Sequence, residues 1–285
     1  DIPNSVTYIG NCAFYECEAL QSIDIPNSVT HIGSLAFWFC DALQSINIPN
    51  SVEGCPCFLH CHGLQHVKLP ENPNFTYMGY GAFMGCSSLE AVALPEGLVT
   101  IAYAAFENSG IKSITLPSTV KNIVREAFLE CRNLASASLN NGLTDIGDAA
   151  FRHTALSSIA IPDSVTVLIQ KSFYSCRKLK SVKLSKNLTK IGKEAFQYCN
   201  SLKSIKIPNS VTEIGDDAFE SCTSLTNVTI PNSVTYVGNR AFKNCTSITK
   251  VKISDNTKFI GASAFADCTS LVNVEIPNSV TSIGD

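Results

Sequence analysis

A phenylalanine returns every 21 to 25 residues along this 285-residue chain, and no other feature restricts the possible folds as strongly. Twelve of the fifteen phenylalanines follow this spacing. A unit of about 23 residues cannot bury its own apolar side, so such units are stable only when they stack on copies of themselves. We call these residues the Phe column: Phe14, Phe37, Phe58, Phe83, Phe106, Phe128, Phe151, Phe173, Phe196, Phe219, Phe242 and Phe265.

The sequence of each repeat predicts one strand followed by turns. Residues 20–40 read Leu-x-x-Ile-x-Ile-Pro-Asn-Ser-Val-x-x-Ile-Gly-x-x-Ala-Phe-x-x-Cys. The alternating β-branched residues are typical of a half-buried strand, and the proline ends it because it lacks an amide hydrogen.

The residues around the repeated glycine predict a turn and then one short helical turn per repeat. We expect the glycine to adopt a positive φ. The glycines concerned are Gly10, Gly33, Gly79, Gly147, Gly192, Gly215, Gly238 and Gly261. Helix N-cap residue types follow several of them. These are Asn11, Ser34, Asp148, Asp216 and Asn239.

This pattern resembles the Treponema-type leucine-rich repeat of BspA-like surface proteins, and the resemblance extends over essentially the whole chain in about twelve copies. The resemblance implies a leucine-rich repeat solenoid that is right-handed and curved, with a parallel sheet on its concave side. It also implies a cell-surface or secreted protein of bacteria or some protists, which adheres to host matrix or other cells.

The frame predicts one repeat domain over residues 1–285, with departures at a few places. Residues 71–77 contain two extra residues, and insertions in solenoids form loops on one face, often the binding face. Both ends of the chain fall within the repeat and lack a polar cap, which solenoids need for solubility. We therefore expect a segment of a longer protein.

Ten of the thirteen cysteines lie three residues after the Phe column and define a Cys column. Neighbouring strands in a sheet lie about 4.8 Å apart, but parallel Cβ directions disfavour disulfide bonds between them. We expect buried free thiols that act as small apolar side chains. The column contains Cys17, Cys40, Cys61, Cys86, Cys131, Cys176, Cys199, Cys222, Cys245 and Cys268.

No metal, cofactor or catalytic site is predicted. Cysteines and histidines are dense between Cys55 and His66, and these residue types bind zinc. The three cysteines there occupy apolar columns of the repeat, however, which leaves only His60, His62 and His66 without a structural role. The chain has no nucleophile elbow, phosphate-binding glycine loop or His-Glu-x-x-His motif, so we do not expect an enzyme.

Charge is distributed unevenly and indicates one candidate binding surface. Residues 1–111 contain ten acidic residues and a single basic one, whereas residues 171–206 contain ten basic residues and a single acidic one. Several lysines fall at outward or starting positions of the predicted strands, where they would attract an acidic glycan or protein. The alternative is that these lysines only form a solvated face and block association of the sheet edges. No aromatic residues are interleaved, which argues against nucleic acid. The lysines are Lys180, Lys183, Lys203, Lys206, Lys250 and Lys252.

A second candidate surface follows the residue after each phenylalanine. In the first four repeats this residue is Tyr15, Trp38, Leu59 and Met84, and later repeats carry mostly polar residues. An exposed apolar stripe of this kind would mark a partner site at the amino-terminal edge. The alternatives are that the column is half-buried or covered by another region.

The sequence predicts a non-catalytic binding module for protein or glycan ligands. No stretch reaches the roughly 18 apolar residues of a membrane span, so membrane insertion is not expected. A scaffold segment in an intracellular assembly and a carrier region of a larger surface enzyme are the alternatives.

Overall fold

The computed structural model describes residues 2–285 as short strands joined by turns. The chain divides into two compact units, Asp1–Gly142 and Leu143–Asp285, and each of them is a stack of parallel turns. The parallel solenoid fold of about twelve turns confirms the predicted fold class, while the extent of the domain stays a prediction. The described residues contain no apolar helix of membrane-spanning length.

In the first unit each turn contributes up to two strands. Strands that carry the Leu-x-x-Ile-x-Ile segment are called face strands, and those that end before the repeated glycine are called back strands. The back strands are β1 (Tyr8–Ile9), β2 (His31–Ile32), β5 (Tyr77–Met78), β6 (Thr100–Ile101) and β8 (Asn122–Ile123). The face strands are β3 (Ser45–Asn47), β4 (His66–Lys68), β7 (Ser113–Thr115) and β9 (Ser136–Ser138).

The second unit repeats the same two kinds of strand with greater regularity. Its back strands are β10 (Asp145–Ile146), β12 (Val167–Leu168), β14 (Lys190–Ile191), β16 (Glu213–Ile214), β18 (Tyr236–Val237), β20 (Phe259–Ile260) and β22 (Ser282–Ile283). Its face strands are β11 (Ser158–Ala160), β13 (Ser181–Lys183), β15 (Ser204–Ile205), β17 (Asn227–Thr229), β19 (Lys250–Lys252) and β21 (Asn273–Glu275).

All the strand pairs are parallel and join equivalent positions of successive repeats. Ser181 lies opposite Ser204, for example, with a register shift of one whole repeat. Back strands β12 to β22 form one six-stranded ladder, whereas the face strands form β11-β13-β15 and β17-β19-β21. In the first unit the face strands pair only as β3-β4 and β7-β9.

The Phe column is the centre of the core in both units. Ten of its members are fully buried, and only Phe14 and Phe265 are partly exposed. Stacked neighbours have ring centroids 5.1 to 5.8 Å apart. Within each unit, neighbouring rings of the column therefore pack on one another, as the sequence predicted.

The predicted short helical turn is wrong, because residues 2–285 contain no helix. The segment around each phenylalanine is a chain of tight turns whose amides alternate in direction. The amides of Asp217, Phe219 and Ser221 each donate to a carbonyl of the next repeat at 2.8 Å. The amides of the residues between them close four-residue turns within the repeat, since Ala218 donates to the Gly215 carbonyl at 3.3 Å and Glu220 to the Asp217 carbonyl at 3.1 Å. The alternation is possible because Asp217 and Ser221 adopt left-handed φ values of 55° and 59°.

The predicted positive φ at the glycine column is also wrong. It is not found at Gly10, Gly33, Gly79, Gly192, Gly215, Gly238 or Gly261. A Cβ at Gly238 would lie 2.5 Å from the amide nitrogen of Asp216, so at this position glycine permits a close approach between turns. The expected N-cap residues also act between turns, since Asp216 Oδ1 accepts a hydrogen bond from the Asn239 amide at 2.7 Å.

Candidate functional site

The six strand lysines of the second unit lie on one sheet face, which we call the lysine face. All six are exposed, and the face strands beneath them bury only their central residue, as in the exposed-buried-exposed pattern of Ser181–Lys183. The alternation of the strands therefore holds four lysines on the outward side, namely Lys183, Lys206, Lys250 and Lys252. Lys180 and Lys203 are exposed just before β13 and β15 begin. The lysine face consists of Lys180, Lys183, Lys203, Lys206, Lys250 and Lys252.

The register brings four of these lysines together and separates the other two. The Lys203 amide donates to the Lys180 carbonyl at 3.3 Å, so these two residues are neighbours on adjacent turns. Ser181 pairs with Ser204, which places Lys206 one turn after Lys183. Lys250 and Lys252 lie on β19, with the polar strand β17 between them and the first four.

Most other lysines of this region are paired with carboxylates, whereas the lysine face is not. Lys190 contacts Glu213 at 2.8 Å, Lys186 contacts Asp163 at 3.0 Å, and Lys171 and Lys193 share Glu194. No carboxylate among residues 2–285 lies within 4 Å of a lysine of the face. Within residues 171–206 the basic side chains without an ion pair are therefore those of the lysine face together with Arg177 and Lys178.

The second predicted surface, at the amino-terminal edge, is largely packed against itself. Tyr15 is 39% exposed, and its ring meets the edge of Trp38 at a centroid distance of 5.0 Å. Trp38 and Met84 are half-buried, and Trp38 also stacks on Phe39. Leu59 is only 7% exposed, so the expectation that it forms part of an exposed stripe is wrong. The half-buried alternative describes this column better.

The Cys column is buried at nine of its ten positions, and Cys17 alone is exposed. The structure adds a role that the sequence did not indicate, because each buried thiol lies near the carbonyl of a phenylalanine in the preceding repeat. Cys222 Sγ donates to the Phe196 carbonyl at 3.2 Å, for example. In the repeat that has Thr154 at this position, the hydroxyl donates to the Phe151 carbonyl instead. The column therefore supplies donors as well as apolar volume.

The cysteine- and histidine-rich segment contains no cluster that fits a metal ion. His62 Nδ1 lies 2.8 Å from Asp41 Oδ1, His60 stacks on Phe39, and Cys61 Sγ donates to the Phe37 carbonyl. Burial and the neighbouring His62 lower the pKa of His60. Among residues 2–285, no three ligand side chains converge on one point. The segment's side chains are used in packing.

The structure also shows a groove that the sequence did not predict. It runs beside β4 in the first unit, where the following turn, residues 89–94, forms no strand. The sequence signals are the 25-residue spacing between Phe58 and Phe83 and the insertion at residues 71–77. The loop itself is anchored, because Asn72 Nδ2 donates to the carbonyls of Asn50 and Val52 at 2.8 and 3.0 Å.

Comparisons with known proteins agree with this architecture. The profile of the BspA-type leucine-rich repeat region matches residues 1–79, 54–180 and 168–285, which together span the chain. A leucine-rich repeat protein from Bacteroides ovatus is 31% identical, with a TM-score of 0.50, over 90% of this chain and 87% of that protein. A leucine-rich cell surface protein from Faecalibacterium prausnitzii is 27% identical, with a TM-score of 0.54, over 95% of this chain and 83% of that protein. No curated protein matches the chain.

Proposed function

Because the chain belongs to the BspA-type leucine-rich repeat family, we propose that it is a non-catalytic recognition module that binds a polyanionic partner at the cell surface. Leucine-rich repeat proteins typically act in protein interactions. The lysine face is the observation that carries the proposal, since none of its lysines has a carboxylate within 4 Å among residues 2–285. The cell-surface location rests on the similarity to the surface protein of Faecalibacterium prausnitzii.

The composition of the lysine face favours a ligand recognised by charge and hydrogen bonds. Between the lysines lie exposed polar residues such as Ser181, Ser204, Thr226 and Thr229. Protein interfaces usually depend on a few buried aromatic or apolar anchors, and this part of the face offers none. Acidic groups of a protein or of a glycan are therefore the groups it suits.

The test uses the whole chain and two probes, poly-L-glutamate and dextran sulfate. Binding is titrated at low and high salt for the double variant Lys183→Gln/Lys206→Gln. The matched control, Lys243→Gln/Lys258→Gln, removes the same charge from the same unit at positions beside the Phe column and the back strand β20. We expect the first variant to bind about tenfold more weakly, and salt to weaken the unmodified chain, because exposed charges are screened over about 10 Å at 0.1 M.

The same titration distinguishes binding at the lysine face from binding at the amino-terminal edge. Binding that resists salt and is lost in Trp38→Ala would assign the site to the amino-terminal edge. Equal binding of all the variants would reject both surfaces. If poly-L-glutamate binds but dextran sulfate does not, the partner class is an acidic protein, and the reverse indicates an acidic glycan.

A further inference from the structure

The face sheet of the first unit is interrupted beside β4. Strands β3 and β4 pair with each other, and the following turn contributes no face strand before β7. No main-chain hydrogen bond joins residues 64–70 with residues 88–95. The same two repeats stay joined at the Phe column, where the Phe58 amide donates to the Ala82 carbonyl at 2.7 Å. The stack is therefore intact on one side and open on the face.

The opening is a groove as long as the strand. One cleft of about 570 Å³ lies at the start of β4, between Gln65 and Ser88. A second, of about 330 Å³, lies over Val67 and Val92, and a third, of about 670 Å³, lies at the end between Leu69 and Leu94. The three clefts share lining residues in β4 and form one continuous groove, which we call the β4 groove.

The walls of the β4 groove present unpaired main-chain groups. The amides of residues 91–94 donate to no acceptor among residues 2–285, and the Leu69 amide is likewise without one. Their side chains are small or apolar, with Ala91 and Ala93 exposed and Val92 and Leu94 half-buried. Unpaired amides and carbonyls along a strand are a template for another strand.

Charge around the groove favours a basic ligand. The carboxylates of Glu71, Glu90 and Glu96 surround it, opposed by His66 and Lys68. Glu90 is paired with Lys112, and Glu96 accepts from Ser118, but Glu71 has no ion pair among the described residues. Residues 1–142 contain twelve acidic and five basic residues, a formal charge of −7.

We propose that the β4 groove binds an extended apolar peptide segment with basic flanks, which adds as a strand between β4 and residues 91–94. Five or six residues of extended chain span roughly 17 to 20 Å, which matches β4 and its flanks. The peptide's amides and carbonyls pair with the unpaired groups of the walls. Its alternate side chains lie on Val67 and Val92, and its basic ends face the carboxylates. This site is separate from the lysine face and independent of its function.

Hydrogen exchange and peptide titration test the proposal on the whole chain. The probe is a fluorescein-labelled peptide, Lys-Val-Thr-Val-Thr-Val-Lys, and its control has methyl groups on alternate amide nitrogens. We expect the amides of residues 91–94 to exchange rapidly in the free protein and to become protected with the probe, but not with the methylated peptide. Protection of these amides in the free protein would overturn the proposal, because the groove would then be closed.

Two matched alanines locate the binding site. Ala93 and Ala160 occupy the same exposed column of the repeat, but only Ala160 lies in a paired strand. We expect Ala93→Phe to weaken probe binding about tenfold or more and Ala160→Phe to change it by less than about twofold. If Ala93→Phe fails to fold, Glu71→Gln serves as the second variant, with a loss of about two- to threefold that salt removes. Equal loss in both alanine variants would contradict the proposed site.

The remaining outcomes also decide the question. No binding of the probe at millimolar concentration would overturn the proposal. If sedimentation shows that the chain self-associates and that Ala93→Phe abolishes the association, the occupant is a second copy rather than a partner peptide. Loss of polyanion binding in the lysine variants leaves this test unaffected, since the probe is cationic and binds the other unit.

Discussion

The two units use one repeat but keep it with different regularity. In the second unit the Phe column has spacings of 22 or 23 residues, and the back strands form one six-stranded ladder. In the first unit the spacings range from 21 to 25 residues, and the segments at residues 21–25 and 89–94 form no face strand. Every turn of the second unit has a face strand, although these strands divide into two sheets between β15 and β17. The first unit has a formal charge of −7 and the second, with sixteen basic and twelve acidic residues, has +4.

The difference shows two ways in which a repeat protein gains a binding surface. Exact repetition places equivalent outward positions side by side, so in the second unit Lys183 at the end of β13 and Lys206 just after β15 add their charges on neighbouring turns. An irregular repeat interrupts the hydrogen bonding between turns, and in the first unit this opens the β4 groove. Regular turns therefore favour a charged flat surface, while an insertion favours a groove.

The largest expected effect is alkaline destabilisation through the Cys column. Burial raises the pKa of Cys40 to about 11 and that of Cys131 and Cys176 to about 12. Unfolded thiols ionise near pH 8.5, so the folded state retains protons that the unfolded state loses. Their contribution to stability is complete below about pH 8.5 and is lost as the pH rises towards 11 or 12.

We expect the free energy of unfolding to fall by about 1.4 kcal/mol per pH unit for each buried thiol above the unfolded pKa. Urea denaturation in a reducing buffer at several pH values from 7.5 to 10 measures the slope. The variant Cys199→Ser/Cys222→Ser controls for lysine and tyrosine titration and should have a visibly smaller slope. If the free energy of unfolding of this variant fell with pH as steeply as that of the unmodified chain, thiol ionisation would not be the cause of the alkaline destabilisation.

The second-largest effect is the loss of stability when a phenylalanine of the Phe column is replaced, compared between the two units. Phe196 is fully buried, whereas Phe14 is only half-buried. We expect Phe196→Ala to lower the free energy of unfolding by about 3–5 kcal/mol because it leaves a cavity. Phe14→Ala should lower the free energy of unfolding by less than half as much. Chemical denaturation of both variants measures the difference, and equal losses would show that the column is equally well packed at both positions.

The smallest effect is the loss of stability when a glycine of the repeated glycine column is replaced by alanine, compared at two positions. A Cβ at Gly238 would overlap the backbone of the preceding repeat, while a Cβ at Gly10 would meet only the Tyr8 ring at 3.9 Å. We expect Gly238→Ala to cost about 1–3 kcal/mol through overpacking, and Gly10→Ala to leave the stability nearly unchanged. Thermal unfolding checks both. A neutral Gly238→Ala would show that the turns can move apart.

The repeat predicted the features that depend on which residues are buried. The Phe column, the buried Cys column and the outward lysines follow from periodicity, because burial in a stack recurs at every copy. The backbone of the Ala-Phe segment did not follow, since a helix and alternating turns bury the same residues. The apolar residues that follow the first four phenylalanines of the column predict Leu59 on the surface beside Trp38, but its side chain is buried.

The β4 groove arises from sequence differences between repeats, which a periodic pattern does not describe. The insertion at residues 71–77 indicated a surface loop, but a periodic pattern assumes that every turn pairs with the next. Phe75 is fully buried at a position where most other repeats have valine or leucine, and in the turn that follows residues 89–94 form no face strand. Pairing of main-chain groups is a property of two neighbouring turns and is not visible in either alone.

The alternating turns restrict which amino acids can be used when this side of the molecule is engineered. Left-handed backbone is unfavourable for valine, isoleucine and threonine, and proline cannot adopt it. None of the 21 non-glycine residues with positive φ is one of these four. A combinatorial library on this side can therefore vary positions such as Phe39 and Tyr198 among aromatic, charged, amide and small residues, but codons for β-branched residues and proline should be left out.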